Sequence, residues 1–267
     1  MNMNLKHIII GMFAAAALAA CSNIAEDDRL IYVQPAEVKR AMIIEDFTGQ
    51  RCVNCPAATD VITQLQQHYG ADTLIAVGIH SGSFARKTPL RTDLGDEYFN
   101  HWAIKAQPGV IINHTGAPVY NTNEYGTAVA KILSQSTPVT MELTTVYNAA
   151  TQNVDVTVSA QTSEAVDTKL QVYVLEDGIV SWQFMGDGSD NEAYVHNHVF
   201  RASITKDNYG DAFAIKEGVS SSVKYSFAVD NEWKAENISV VAFVYTEKDG
   251  VLQAVKKHII DTKDNTK

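Results

Sequence analysis

Ile44-Glu45-Asp46-Phe47-Thr48-Gly49-Gln50-Arg51-Cys52-Val53-Asn54-Cys55-Pro56 joins an apolar run to a cysteine pair and a proline. Upstream, Ala41 through Phe47 is apolar and β-favouring, which predicts a strand. Downstream, Val61, Ile62, Leu65 and Tyr69 fall on one face of a helix. Pro56 suits the first turn of that helix, where its missing N–H costs nothing, and Gly70 is a stop signal. Thr73 through Ile79 is then a continuous apolar run, as expected of a parallel strand buried on both faces. The cysteines therefore sit at the strand-to-helix junction of a β-α-β unit.

That position has chemical consequences. A helix N-terminus presents unpaired N–H groups and about half a positive charge, which stabilises a thiolate. Cys52, at the mouth, is the expected nucleophile and Cys55, one turn in, the resolving thiol. Arg51 beside Cys52 would lower the thiol pKa further. A Cys-x-x-Cys pair can also hold zinc, but zinc needs two more ligands, and no Cys/His pair elsewhere has zinc-finger spacing. His196 and His198 are the only close histidine pair; on a strand they would share a face and chelate a metal weakly. Neither a metal site nor a cofactor is expected.

The third cysteine gives an address. Lys6, the apolar run Ile8 to Phe13 and the alanines through Ala17 make an export signal over residues 1–20, too short for the ~20 apolar residues that span a bilayer. It ends Leu18-Ala19-Ala20-Cys21, which resembles the bacterial lipobox and implies lipidation of Cys21. The protein would then be held at a membrane by its lipid, since no later segment offers ~18 consecutive apolar residues. Residues 21–37 read as a tether. Its acidic cluster, Glu26-Asp27-Asp28, resembles surface-export signals of lipoproteins in Bacteroides-type bacteria and equally suits a solvated linker.

The chain has 267 residues, 46% of them hydrophobic and 19% charged, enough for a packed core and long enough for two domains. Its net charge of −10 argues against nucleic acid as a partner. Cleavage before Cys21 removes Lys6 and no acid, so the mature chain is more acidic still.

Ile44 through Pro56 looks like the active-site strand and turn of the thioredoxin fold. The resemblance implies that Asp46 is the buried acid that takes the proton of Cys55, although Glu45 competes with it for the inward position. Ala106-Gln107-Pro108-Gly109-Val110 resembles the segment carrying a cis-proline opposite the thiols. Pro108 would then face Cys52, and Gln107 would offer backbone hydrogen bonds to a substrate peptide. Helix-compatible Asp93–Ile104, a short strand at Pro118–Tyr120 and a helix over Glu124–Gln135 complete a β-α-β-α-β-β-α order across residues 38–137. The chain departs from thioredoxins at Arg51, where they usually carry Trp, and at Val53-Asn54, where they usually carry Gly-Pro.

From Pro138 the texture changes. Val139–Val146, Val154–Val158, Leu170–Val174 and Val223–Phe227 alternate with period two. Ile238–Tyr245 is a more buried run, and Val251–Ile260 reads as a last strand. About seven strands fit an immunoglobulin-like antiparallel sandwich over residues 138–262, before a tail at 263–267. Gly186 through Glu192 has spaced acids and glycines but does not satisfy the EF-hand pattern, so 181–194 reads as a solvated loop pinned by Trp182, Phe184 and Met185.

The fold expected is an α/β thioredoxin-like domain followed by an all-β immunoglobulin-like sandwich. A lipobox, the Phe-Thr-Gly-x-x-Cys-x-Asn-Cys-Pro string and an all-β second half together resemble the outer membrane protein 28 family of Bacteroides-type lipoproteins. The resemblance implies an outer-membrane location, on the periplasmic or the surface face. Two roles follow: thiol–disulfide exchange with exported protein thiols or disulfides, or binding of a surface ligand by the sandwich, with Cys52–Cys55 as a structural disulfide.

Overall fold

A computed structural model describes residues 39–86 and 89–260. The export signal at 1–20, Cys21, the tether at 21–37 and the tail at 263–267 lie outside the described residues.

The run before the cysteines becomes strand β1 (Met42–Thr48), buried along its whole length. It pairs in parallel with β2 (Leu74–His80) and antiparallel with β3 (Gly109–Ile112). Helix α1 (Cys55–Tyr69) links β1 to β2, starts with Pro56 in its first turn and stops at Gly70, whose φ is 96°. Helix α2 (Asp93–His101) is capped by Thr92, whose hydroxyl accepts from the Gly95 N–H at 3.0 Å. Helix α3 (Tyr125–Leu133) follows β3. Successive strand residues point to opposite faces. Ile43, Phe47, Val77 and Ile111 therefore pack toward Tyr98 of α2. Met42, Ile44, Ala76 and Val110 pack toward Ala58 and Ile62 of α1 and Val129 of α3.

The second half is almost all strand. β4 (Val139–Asn148), β5 (Asn153–Thr162) and β11 (Ser221–Ala228) make a three-stranded antiparallel sheet. β6 (Val166–Glu176) pairs with β12 (Ile238–Thr246), which pairs with β13 (Gly250–His258). The other edge of β6 is shared end to end by β10 (Asp211–Ile215) and β9 (Val199–Ser203). β9 also touches β2 in parallel, where the Gly78 N–H donates to the His198 carbonyl at 2.7 Å.

One eight-stranded sheet thus runs β13-β12-β6-β9-β2-β1-β3, with β10 beside β6. It crosses residues 137 and 138, where the change in sequence texture falls. The three-stranded sheet covers one face of its second half, with Val156, Val158 and Leu143 against Val172, Val174 and Val240. The opposite face carries Tyr173 and Phe243, which share a core with Tyr98 of α2 and Phe200 of β9. β6 is buried on both faces, which is why Leu170–Glu176 is continuously buried rather than alternating.

Segment 181–194 is not a loop. β7 (Ile179–Phe184) and β8 (Asp190–His196) form a separate hairpin. Its tip is tied by the Asp187 carboxylate, which accepts from the Ser189 N–H at 2.9 Å and hydroxyl at 2.6 Å. Only Gln183 and His196 of the two strands are buried, so the apolar alternation that signals a strand is missing.

Chain entry is clamped to β13. The Arg40 guanidinium donates to the Val251 carbonyl. The Gln253 side chain accepts from the Ala41 N–H and donates to the carbonyls of Lys39 and Val139.

Candidate functional site

Cys52 and Cys55 are joined as a disulfide at the start of α1. The turn that delivers them is built by backbone bonds: the Cys52 N–H donates to the Gly49 carbonyl at 3.0 Å and the Cys55 N–H to the Cys52 carbonyl at 3.3 Å. Gly49 is required because a Cβ there would stand 2.5 Å from the backbone of Phe84. Beside it, the Arg51 N–H donates to the Phe84 carbonyl at 2.9 Å while its side chain is exposed.

The sequence places Cys52 at an open helix mouth. The structure covers it: Cys52 is 3% exposed and Cys55 1%. The cover is the β7–β8 hairpin. Gln183 Nε2 donates to the Cys52 carbonyl at 3.1 Å, and the Phe184 N–H donates to the Gln50 carbonyl at 2.8 Å. Trp182 lies under the Arg86 guanidinium, 4.0 Å from its ring centre, and the Arg86 N–H donates to Gln50 Oε1 at 2.9 Å.

Both candidate acids are buried, because the sheet has two covered faces. Asp46 faces α1, where the Thr59 hydroxyl donates to Oδ2 at 3.3 Å and Oδ1 has no partner. Burial pushes its pKa up to about 7, against the Thr59 bond. Glu45 points the other way, 2.8 Å from His114 Nδ1 and 3.3 Å from the Tyr173 hydroxyl, far from the α1 side. The Gln107–Pro108 bond is cis. The Gln107 side-chain amide donates to the Thr48 carbonyl at 2.7 Å and the Ser81 carbonyl at 3.1 Å, tying this loop to the ends of β1 and β2.

A cavity of about 600 Å³ opens between α1 and the hairpin, lined by Asp46, Cys55, Thr59, His80, Gln183 and His196 among others. The His80 and His196 ring centres are 5.0 Å apart. Burial, the neighbouring His196 and Arg201 hold His80 well below the usual imidazole range. Burial brings His196 down to about 4, against the hydrogen bonds of its ring to the Ser181 and Trp182 backbone. His198 does not share a strand face with His196: it sits in the turn after β8 at φ 57°, with Nδ1 2.9 Å from Asp177 Oδ1. Thr59, His80 and Gln183 carry no motif signal. Only the position of His80 at the C-terminal end of β2 marks it, where open α/β sheets place their ligand residues.

Residues 95–263 match the family described as Outer membrane protein Omp28. The chain belongs to the Omp28 family. Membership places this Omp28-family protein at the outer membrane, as the sequence resemblance implied. Among the described residues no helix is long and apolar enough to cross a membrane. HBP35 of Porphyromonas gingivalis has a similar fold, with a TM-score of 0.64 and 17% identity over 83% of this chain and 76% of that one. A domain of the outer membrane lipoprotein Omp28 from Porphyromonas gingivalis aligns at 26% identity over 46% of this chain and 88% of that one, with a TM-score of 0.35. No curated protein matches the chain.

Proposed function

We propose that this Omp28-family protein carries out thiol–disulfide exchange on exported proteins at the outer membrane. In this reading the first half is a thioredoxin-like module, and an immunoglobulin-like sandwich in the second half presents or docks the substrate. The observation that carries the reading is the Cys52–Cys55 disulfide at the N-terminus of α1, with Cys55 in a cavity wall that also holds Asp46. From the reduced state, the Cys52 thiolate attacks one sulfur of a substrate disulfide and forms a mixed disulfide, expelling the other sulfur as a thiolate. The Cys55 thiol gives its proton to Asp46 and attacks the Cys52 sulfur. That re-forms Cys52–Cys55 and releases the substrate with both sulfurs reduced. Run backwards, the same steps oxidise a substrate dithiol. An acid with a pKa near 7 suits the proton transfer. In this scheme Arg51 favours the Cys52 thiolate, and Gln107 and Pro108 border the substrate.

Replacing Cys55 with Ser should accumulate mixed disulfides through Cys52 with exported proteins, read by non-reducing electrophoresis and mass spectrometry. No adducts, with no turnover of a model disulfide by the parent protein, would sink the proposal. The near-complete cover of both cysteines favours a second reading, a structural disulfide in a protein whose sandwich binds a surface ligand. A reduction potential below about −300 mV would support that reading.

A further inference from the structure

The cavity between α1 and the hairpin holds buried polar atoms that the described residues do not pair. Asp46, His80 and His196 are 5%, 4% and 5% exposed, and Asp46 Oδ1, His80 Nδ1 and His196 Nε2 have no hydrogen-bond partner among the described residues. His80 and His196 face each other with ring centres 5.0 Å apart, so these open ring nitrogens lie close together on the cavity wall. A buried polar atom without a partner costs about 1–3 kcal/mol, so three on one cavity mark a place shaped for a polar ligand. The charge pattern agrees. Asp46, Asp60 and Asp177 line the cavity, and among the described residues no lysine or arginine does. Nearby, Arg201 is paired with Glu176 at 3.3 Å, and Lys256 stands 3.8 Å from Asp177. Asp60 lies exposed on α1, where it leaves a free negative charge on the rim.

We infer that this cavity binds an organic ammonium or guanidinium group. An ammonium brings three donors on one compact charge, which the Asp46 carboxylate and any imidazole nitrogen presenting a lone pair can accept. A volume of about 600 Å³ suits a small molecule or one long side chain. The group would come from a free amine or from a lysine or arginine of a bound polypeptide. Neither source depends on disulfide exchange.

Calorimetric titration of the full chain in its disulfide form, with no thiol present, tests this with 1,4-diaminobutane, N-acetyl-lysine methylamide and uncharged 1,4-butanediol. Saturable one-to-one binding of either amine, with none of the diol, is expected. Asp46→Asn should weaken it at least tenfold and Asp60→Asn about threefold. Asp60 is exposed, so that variant keeps its fold, checked by an unchanged melting curve. Preference for the diamine identifies a free amine as the natural occupant; preference for the lysine derivative identifies a polypeptide side chain. Equal heats from amine and diol, or full affinity in both variants, would overturn the inference. Because no thiol takes part, a protein that exchanges no disulfides would still bind the amine.

Discussion

Asp46 and Glu45 are neighbours with opposite surroundings, and their chemistry follows from which side of β1 each faces. Glu45 meets a histidine and a tyrosine hydroxyl. Asp46 meets one threonine hydroxyl and an unfilled cavity. A carboxyl whose pKa rises on folding gives stability that is complete below its unfolded pKa and is lost as pH rises through the folded one. For Asp46 that window runs from about pH 4 to about pH 7. His80 and His196 act in the opposite sense. Their pKa values are depressed, so their contribution is complete above the usual imidazole range and lost on acidification. The two effects oppose each other in one protein, so the difference between parent and variant isolates each. Asp46→Asn should gain about 3 kcal/mol relative to the parent between pH 5 and pH 8, by urea denaturation. Parallel stability profiles would show that Asp46 is not the titrating group. The sequence could name both acids as inward candidates but could not divide them, because a continuous apolar run does not say that both faces of its sheet are covered.

The β7–β8 hairpin shows where sequence patterning stops. β1, α1 and β2 are legible because one long apolar run or one helical stripe is buried in each. The hairpin buries two polar residues, Gln183 and His196, and leaves Val180 and Val195 60% and 49% exposed. It is held by its own ladder, by two hydrogen bonds to the cysteine turn and by the Arg86–Trp182 stack, rather than by a hydrophobic core. β9 and β10 leave no sequence pattern for a related reason: five residues each, they borrow their register from β6. An element with so few buried apolar contacts belongs to the low-stability end of the structure. Opening of the hairpin should therefore limit access to the disulfide. Trp182→Ala removes a cation–π contact worth about 1–2 kcal/mol, so it should speed reduction of Cys52–Cys55 by dithiothreitol roughly 5- to 30-fold without changing the overall melting temperature by more than a few degrees. Equal reduction rates would mean that the hairpin does not gate the disulfide.

At the level of the whole molecule, the break in sequence texture near Pro138 is real, yet it is not a break in the sheet. β9 returns from the second half to sit beside β2, and Tyr98 of α2 packs on Tyr173 and Phe200 from beyond that point. A chain ending at residue 137 would leave Tyr98 and the edge of β2 uncovered. It should lack the dispersed amide spectrum of a folded domain, whereas the chain from 38 onward should unfold in one transition. A well-dispersed spectrum from the shorter chain would show that the first half folds alone. The pairing that joins the halves was invisible in sequence because a parallel contact at Gly78 rests on one backbone bond, not on a side-chain pattern.

The clamp at the chain entry has a mechanical meaning. A pull on the chain from its N-terminal side reaches the described fold at Lys39. There it meets Arg40 and Ala41, fastened to β13 through Val251 and Gln253. Beyond them lies β1, hydrogen-bonded on both edges between β2 and β3. Tension from that side would have to shear an inner strand rather than peel an edge one, so the fold meets such a pull with a part of the sheet held on both edges.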